Sequence, residues 1–378
     1  MVRVDETTAA ELPKPRLVDQ QSPVDLLIIG GGILGLSTAC EVLARGLSVT
    51  IFEEDPHRSA AWASAGMLSP YAERSQAGGL QDMMRASRVA YPAYVAHVEE
   101  QSGMKIELSF PGTIIPLAAG DDRAARLALL TEMGANCRYL DPAETKAAEP
   151  ALGERPGGAI LLDEEGYVNP RSLITALRMA VDHLGGRMVH LRVLGLVSRQ
   201  ARIVGVETAA GVVRGGAVLN AAGAWADHFL VPEDQDRYQV RPVRGQIVRL
   251  RPPSRKEAVR HVVQDPLVSY LVPRADGGVV CGSTSEDVGP FPGITAGGIA
   301  SVLERTIALV PQASNWTFIG AWSGLRPRAG RDEIFLEADS SRKGLFHGLG
   351  LFRHGMLLAP TAATRMARLV VDYLGRHG

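Results

Sequence analysis

Three glycines near the start of the chain have the spacing of a dinucleotide-binding turn. Gly30, Gly32 and Gly35 follow the apolar run VDLLIIG and precede a stretch with one apolar helical face, which places them between a predicted strand and a predicted helix. Gly30 permits a tight turn, Gly32 lets the backbone approach a pyrophosphate, and Gly35 lets helix and strand pack closely. Amides near Ile33 and Leu34, at the positive helix end, would face that anion.

Glu53 carries the second part of this signal. It lies at the end of the alternating run SVTIFEE, where a carboxylate can accept hydrogen bonds from ribose hydroxyls. An acid at this position argues against a 2′-phosphate, but the spacing does not separate FAD from NAD. The strands on either side of the glycine turn should be parallel, so residues 24–54 are predicted to form a complete β-α-β unit.

The rest of the chain alternates between helix and strand patterns. Residues 121–152 are predicted to be helical, Pro170 opens a helix, and residues 187–222 are predicted to be short strands added to the first sheet. The segment from Arg237 to about Pro311 is strand-rich with one amphipathic helix. A closing strand and helix could then pack against the nucleotide-binding part. The fold class is therefore α/β, a Rossmann-like domain with a mixed-sheet second domain that is discontinuous in sequence.

Composition excludes several classes of protein. The 378 residues are 46% hydrophobic and 21% charged, which is ordinary for a globular enzyme and favours two domains. A net charge of −1 provides no general attraction for nucleic acid. The polar residues 1–22 are interpreted as a flexible lead-in, and no apolar run predicts a transmembrane segment, so a cytoplasmic location is expected.

The cysteine and histidine residues show no metal-ligand spacing. Cys40, Cys137 and Cys281 are widely separated and are expected to be reduced structural thiols rather than members of a disulfide framework. No metal site is predicted.

Seven segments occur in an order that resembles a known family. They are VDLLIIGGGILGLSTACEVLARGLSVTIFEE, ASAGMLSPYAE, NAAGAWA, RPVRGQIVRL, YLVPRADGGVVCGSTSE, WSGLRPRAG and LFRHGMLLAPTAA. Together they resemble the D-amino-acid-oxidase-type FAD-dependent oxidoreductases, from about Val24 to Leu374. The AGML, YLVPR, GLRP and FRHG segments are most similar to the bacterial glycine oxidase branch, which serves thiamine biosynthesis.

The resemblance implies a noncovalently bound FAD and a set of residues that hold it. Backbone contacts are implied at Ala60 and Ala61, which lack the hydroxyl groups expected there, and at a loop that closes over the flavin, where Leu351 replaces a histidine common in relatives. The whole implied set is Gly30, Gly32, Ile33, Leu34, Gly35, Glu53, Glu54, Ala60, Ala61, Ala65, Gly66, Met67, Val193, Leu351, Phe352, Arg353, His354, Gly355, Met356 and Leu357.

The resemblance also implies a clamp for a substrate carboxylate. Tyr270, Arg326 and Arg353 match its positions, and the planar forks of two arginines with a tyrosine hydroxyl suit a carboxylate. The implied reaction is hydride transfer from the α-carbon of glycine or another small amino acid to FAD, by positioning and without a catalytic side-chain base. The imine would hydrolyse to glyoxylate or a keto acid and ammonia, with O2 reduced to H2O2.

Other readings of the same residues stay open. One is a D-amino-acid dehydrogenase that passes electrons to a quinone or another acceptor, one is an NAD-dependent dehydrogenase, and one is a noncatalytic flavin-binding subunit of a complex. A homo-oligomer is possible. The expected FAD-binding domain comprises 23–82, 153–236 and 319–378, and the expected substrate-binding domain comprises 83–152 and 237–318.

Overall fold

A computed structural model describes residues 24–72, 79–265, 269–330 and 332–377. The predicted flexible segment 1–22 lies outside these residues. Within the described ranges, no helix combines the length and the apolar character that crossing a membrane requires.

The strands belong to three sheets. Their bounds are β1 Val24–Ile29, β2 Val49–Phe52, β3 Met67–Leu68, β4 Leu108–Ser109, β5 Thr113–Pro116, β6 Cys137–Leu140, β7 Ala159–Leu162, β8 Gly166–Val168, β9 Arg187–Val189, β10 Val193–Arg199, β11 Arg202–Thr208, β12 Gly211–Asn220, β13 Arg241–Arg251, β14 Val262–Asp265, β15 Ser269–Pro273, β16 Val279–Gly282, β17 Thr317–Arg328, β18 Phe335–Ala338 and β19 Leu345–Leu349.

The helices connect and cover these sheets. Their bounds are α1 Ile33–Leu43, α2 Gly79–Ser102, α3 Arg123–Glu132, α4 Pro142–Ala148, α5 Pro170–His183, α6 Pro232–Tyr238, α7 Ala296–Leu309 and α8 Gly355–His377, with short 3₁₀ helices at Gly223–Phe229 and Pro311–Asn315. As predicted, Pro170 is the first helical residue of α5, and Asn169 caps the helix by accepting from the amides of Arg171 and Ser172.

The first sheet is parallel where the nucleotide motif lies. Strands β9, β2, β1, β12 and β19 lie side by side in the same direction, and Ile29 is aligned with both Phe52 and Asn220. The carboxyl ends of these strands therefore meet at one edge, which in open α/β sheets is where ligands bind. β10 and β11 extend the first half of β12 as an antiparallel pair, and β18 pairs with β19. The predicted β-α-β unit and the additions to its sheet are confirmed.

The second sheet has the order β17-β13-β16-β15-β14-β5-β7-β6 and is antiparallel except between β14 and β5. Its core packs against α7, with Val248, Leu271, Cys281 and Val302 fully buried. A small third sheet, β3-β8-β4, contains the strand of the AGML segment. The fold class is thus a mixed α/β architecture, as the patterns predicted.

Three elements lie across the expected domain boundaries. β7 was expected with the FAD-binding part but lies between β5 and β6 of the second sheet, and β17 pairs along its length with β13 of that sheet. α2 was expected with the substrate-binding part but packs on α5 and α8. A sequence pattern identifies a strand or a helix but does not show which sheet or helix it packs against. The domain to which β7, β17 and α2 belong could therefore not be predicted from the sequence. The two-domain division itself stays a prediction.

The uniformly helical interpretation of residues 121–152 is wrong in its middle. Gly134 has a φ of +82°, a conformation that ends α3 and that non-glycine residues rarely adopt. The chain then forms β6, which pairs with β7, before Asp141 caps α4. The alternation that marks a four-residue strand is too short to stand out between two helices.

Candidate functional site

A cavity of about 580 Å³ lies where the carboxyl edge of the first sheet faces the second sheet. Its size is typical of cofactor and substrate sites, which span roughly 300–1,000 Å³. The cavity wall includes Tyr270, Arg326, Arg353, Gly30, Gly32, Ile33, Leu34, Glu53, Glu54, Ala60, Ala61, Ala65, Gly66, Met67, Val193, Leu351, Phe352, His354, Gly355, Met356 and Leu357. Of the predicted site residues, Gly35 alone is not part of this wall. The roles of these residues remain predictions.

The glycine turn at the cavity is built by close backbone approaches. Gly30 has a φ of +107°, and a Cβ there would lie 2.4 Å from the carbonyl oxygen of Ala221. A Cβ on Gly35 would lie 2.1 Å from the Gly30 carbonyl oxygen, so Gly35 serves helix–strand packing, as predicted. Gly32 is the N-cap of α1, and the next two residues line the cavity. The helix N-terminus therefore opens on the site, where an anion would be stabilised.

Glu53 lies beside this turn at the end of β2. Its Oε2 accepts from the amide of Gly31 at 2.8 Å and its Oε1 accepts from the amide of Asp55 at 3.1 Å. Burial raises the pKa of the Glu53 carboxyl, while these hydrogen bonds and the charge of Arg178 oppose the rise. Arg178 is 2% exposed and donates to the carbonyl of Pro56 at 2.7 Å. Sequence reasoning missed Arg178 because it lies on α5, an amphipathic helix far along the chain from Glu53.

Two side chains from the second sheet hold the AGML segment at the cavity. Trp322 Nε1 donates to the carbonyl of Ala63 at 2.8 Å, and Arg274 Nη2 donates to the carbonyl of Ala65 at 2.6 Å. Arg274 is 9% exposed, and burial lowers its pKa to about 10. These bonds connect a cavity-lining segment to the sheet that carries the predicted substrate residues.

Small residues let the backbone form this part of the wall. A Cβ on Gly66 would lie 2.0 Å from the carbonyl oxygen of Val168, and Gly66 has a φ of +74°. Ala60 and Ala61 line the cavity but carry no hydroxyl group. Ser59 also lines the cavity, and its hydroxyl oxygen accepts from the amide of Trp62 at 3.2 Å. A hydroxyl is thus present one residue before the expected place.

The closing loop between β19 and α8 follows a strained path. Phe352 has a φ of +40°, which is unusual for a bulky residue, and its amide donates to the carbonyl of Pro327 at 3.0 Å. Leu351, in place of the family histidine, is 7% exposed and packs in the main core. α8 begins at Gly355, so a second helix N-terminus opens on the cavity beside this loop.

The three predicted clamp residues reach the cavity from different directions. Tyr270 lies on β15 and Arg326 on β17, whereas Arg353 is exposed at the rim, with its guanidinium carbon 5.8 Å from the ring centre of Phe352. The Arg326 Nη2 donates to Ser283 Oγ at 2.6 Å. The structure therefore brings Tyr270 and Arg326 into the interior and leaves Arg353 at the entrance.

In the RGQ segment, residues 244–246, two side chains stabilise a loop and the glycine between them lines the cavity. Arg244 pairs with Glu286, and Gln246 Nε2 donates to the same carboxylate at 2.7 Å, so both residues organise the loop after β16. Gly245 between them lines the cavity. Trp225 also lines it and lies under the guanidinium of Arg58, 5.3 Å from the ring centre.

A buried acid lies behind the cavity wall, next to Ser69. Glu165 is fully buried, and its Oε1 accepts from the amides of Tyr71 and Ala72 at 2.8 and 3.1 Å. Burial raises the pKa of Glu165 to about 7, and the amides and the nearby hydroxyls of Thr113 and Ser69 limit the rise. Ser69 lines the cavity, so Glu165 supports its wall without reaching it. The sequence offered no signal for this acid.

One carboxylate and imidazole cluster among the described residues has metal-ligand spacing: Asp234, Asp339 and His347. Arg342 Nη2 lies 2.7 Å from both Asp234 Oδ2 and Asp339 Oδ2, and His347 Nε2 lies 2.9 Å from Asp339 Oδ2. A guanidinium therefore already bridges the two carboxylates, and the cluster is an ion-pair network that includes His347 of β19.

The cavity features fit FAD. Gly30 and Gly66 let the wall pack closely on neighbouring backbone, two helix N-termini open on the space, and the part-buried Glu53 carboxylate directly follows β2. The same wall carries the glycine turn and the three clamp residues, so one cavity joins the expected nucleotide and substrate ends.

Comparison with known proteins agrees with this geometry. A bifunctional protein ThiO/ThiG from Nostoc sp. is 33% identical over 350 residues, covering 92% of this chain and 53% of that protein, so the chain spans about half the length of that relative. A glycine oxidase from Geobacillus kaustophilus is 30% identical over 354 residues, covering 92% of both chains.

Solved structures show the same fold. The crystal structure of glycine oxidase from Geobacillus kaustophilus superimposes with a TM-score of 0.85 at 28% identity, over 93% of this chain and 95% of that one. Iminodiacetate oxidase from Chelativorans sp. gives a TM-score of 0.83 at 26% identity, over 92% and 95%. The family described as DAO, FAD dependent oxidoreductase, matches residues 25–369. This chain belongs to that FAD-dependent family.

Proposed function

We propose that this protein oxidises the carbon–nitrogen bond of glycine or another small amino acid, with O2 as electron acceptor and H2O2 as product. The observation that carries the proposal is that Tyr270 and Arg326 line one cavity and reach consecutive residues of it, the phenol at Gly282 and the guanidinium at Ser283. A fixed guanidinium beside a phenol is suited to an anionic carboxylate. The relatives named glycine oxidase and iminodiacetate oxidase support a small amino acid as substrate.

The protein residues in this proposal bind and orient. Gly30, Gly32 and Glu53 would hold the nucleotide end of FAD, and the amides of the Ala65–Met67 segment and the start of α8 would hold the flavin end. When bound, FAD supplies an acceptor for the hydride of the substrate α-carbon. Arg326 and Tyr270 fix the carboxylate, which limits the orientations of the attached carbon–hydrogen bond.

Arg353 occupies a separate place in this scheme. Its exposed guanidinium at the rim can meet an incoming carboxylate and complete the clamp when the substrate is bound. The amino acid would bind with its amine neutral, since hydride transfer requires the nitrogen lone pair and no side-chain base is invoked. Hydrolysis of the imine product would release glyoxylate or a keto acid and ammonia. The relatives named ThiO/ThiG support a link to thiamine biosynthesis.

The first test is an anaerobic absorbance spectrum of the FAD-loaded protein during additions of glycine, sarcosine and D-alanine. Bleaching of the flavin band by glycine, followed by stoichiometric H2O2 after oxygen is admitted, is expected. Bleaching by D-alanine alone, with no peroxide but rapid reduction of a quinone, would instead establish the dehydrogenase.

A variant links this reaction to the clamp. Arg326→Ala should retain FAD and raise the KM for the amino acid at least a hundredfold, because a charge-assisted pair is lost. Unchanged kinetics in this variant would refute the clamp assignment. A FAD-loaded wild type that no amino acid bleaches would favour a noncatalytic subunit of a complex.

A further inference from the structure

Tyr270 and Arg326 approach each other across two intervening strands. In the second sheet, β16 and β13 lie between β15 and β17, so the backbones of the two residues are separated by three strand spacings of about 4.8 Å each. To contact one small ligand, the two side chains must therefore extend across the face of the sheet, over the intervening strands β13 and β16.

Two glycines make this crossing possible. A Cβ on Gly245 of β13 would lie 2.3 Å from both Nη atoms of Arg326. A Cβ on Gly282 of β16 would lie 2.4 Å from the hydroxyl oxygen of Tyr270. The guanidinium thus lies on the backbone of β13 and the phenol on the backbone of β16, and both groups reach the end of β16, at Gly282 and Ser283.

Ser283 follows directly after β16, at this meeting point. It lines the cavity together with Tyr270 and Arg326. Its Oγ accepts from Arg326 Nη2 at 2.6 Å, while Arg326 Nη1 donates to the carbonyl of Thr284 at 3.2 Å. A serine hydroxyl that accepts from a guanidinium still has its own proton to donate. An anion held beside Arg326 is the acceptor that this proton would meet.

We infer that Ser283 is a further substrate-binding residue, whose hydroxyl donates to the carboxylate bound by Arg326 and Tyr270. This inference rests on the proposed function, because it assigns a third donor to the same carboxylate. The guanidinium fixes the position of the hydroxyl oxygen, so the donor is already in place before the substrate arrives and little rotamer freedom is lost on binding.

The test uses acetate, a carboxylate without an oxidisable amine, and follows the flavin absorbance of the FAD-loaded protein. Ser283→Ala should raise the acetate Kd about tenfold, as expected for one hydrogen bond to a charged group. It should raise the KM for the amino acid equally and change kcat by less than about twofold. Ser283→Thr keeps the hydroxyl and should restore most of the affinity. Ser314→Ala is the matched control, because Ser314 is exposed and does not line the cavity.

A double-mutant cycle separates direct binding from an effect through Arg326. If Ser283 donates to the carboxylate, Ser283→Ala weakens acetate binding further in an Arg326→Ala background. Equal acetate affinity with and without the hydroxyl in that background, or an unchanged Kd in the single variant, overturns the inference.

The proposed function fails separately. A wild type that binds acetate but is bleached by no amino acid refutes the oxidase while the comparison of Ser283 variants still reports on carboxylate binding. A FAD-loaded wild type with no acetate response overturns the clamp and the role of Ser283 together.

Discussion

Replacing Glu165 by glutamine should change how the stability of the folded protein depends on pH. Glu165 is fully buried and holds the amides of Tyr71 and Ala72 at 2.8 and 3.1 Å. Glutamine has nearly the same shape, and its carbonyl oxygen can accept from both amides. The substitution therefore removes an ionisable group while keeping the two bonds that fix this wall.

The pKa of Glu165 sets the size and sign of the effect. Burial raises it from 4.5 to about 7 in the folded protein, so the folded state binds a proton more tightly than the unfolded chain. The stabilisation from that proton is complete below the unfolded pKa and is lost as the pH rises through the folded pKa. Between pH 5 and pH 8 the loss amounts to about 2 to 3 kcal/mol. Glutamine does not titrate and avoids this loss.

Urea unfolding of the FAD-loaded wild type and Glu165→Gln at pH 5 and pH 8 measures the difference. From pH 5 to pH 8, the free energy of unfolding of the wild type should fall relative to that of the variant by about 2 to 3 kcal/mol. Glu164→Gln, which changes an exposed neighbouring acid, controls for net charge. Parallel pH dependences for wild type and Glu165→Gln would show that Glu165 is ionised at little cost in the folded protein, and the reasoning would be wrong.

Three further substitutions probe different parts of the cavity. Glu53→Gln should raise the FAD Kd about tenfold, measured by flavin fluorescence, because it removes a charged acceptor; an unchanged Kd contradicts its role. Gly245→Ala places a Cβ 2.3 Å from the Arg326 guanidinium, so the amino-acid KM should rise at least tenfold with FAD retained, and a normal KM would show that the guanidinium does not need this backbone. Arg274→Met leaves the Ala65 carbonyl unpartnered, which costs about 1 to 3 kcal/mol; a lower Tm and a shifted flavin band are expected, and neither change would be seen if that bond were dispensable.

The cofactor half of the site could be predicted from sequence because it is local. Gly30, Gly35 and Glu53 lie within one β-α-β unit, and their spacing alone sets the turn, the helix contact and the acid. The structure has the strand, turn and helix at the predicted places. Short-range geometry of this kind follows from backbone conformation and needs no knowledge of distant contacts.

The substrate half could be predicted only in part because it depends on strand order. Tyr270 and Arg326 were identified through family resemblance, but Ser283 and Gly245 were not, since no spacing along the chain shows that β13 and β16 separate the two. Glu165 was missed for a similar reason. It is recognised only when its fully buried carboxylate is seen to hold backbone amides 93 and 94 residues away.

The two halves should therefore respond differently to mutation. On the first sheet, backbone amides and glycines form much of the wall. Apart from Glu53, side-chain truncations there should therefore weaken FAD binding less than glycine substitutions do. On the second sheet, side chains that cross over glycines form the wall, so truncation removes a ligand contact and leaves the cofactor side intact. Variants of Tyr270, Ser283 and Arg326 should accordingly retain FAD while losing substrate affinity. Substitution of Gly30, whose Cβ would lie 2.4 Å from a backbone oxygen, should instead weaken FAD binding and folding together.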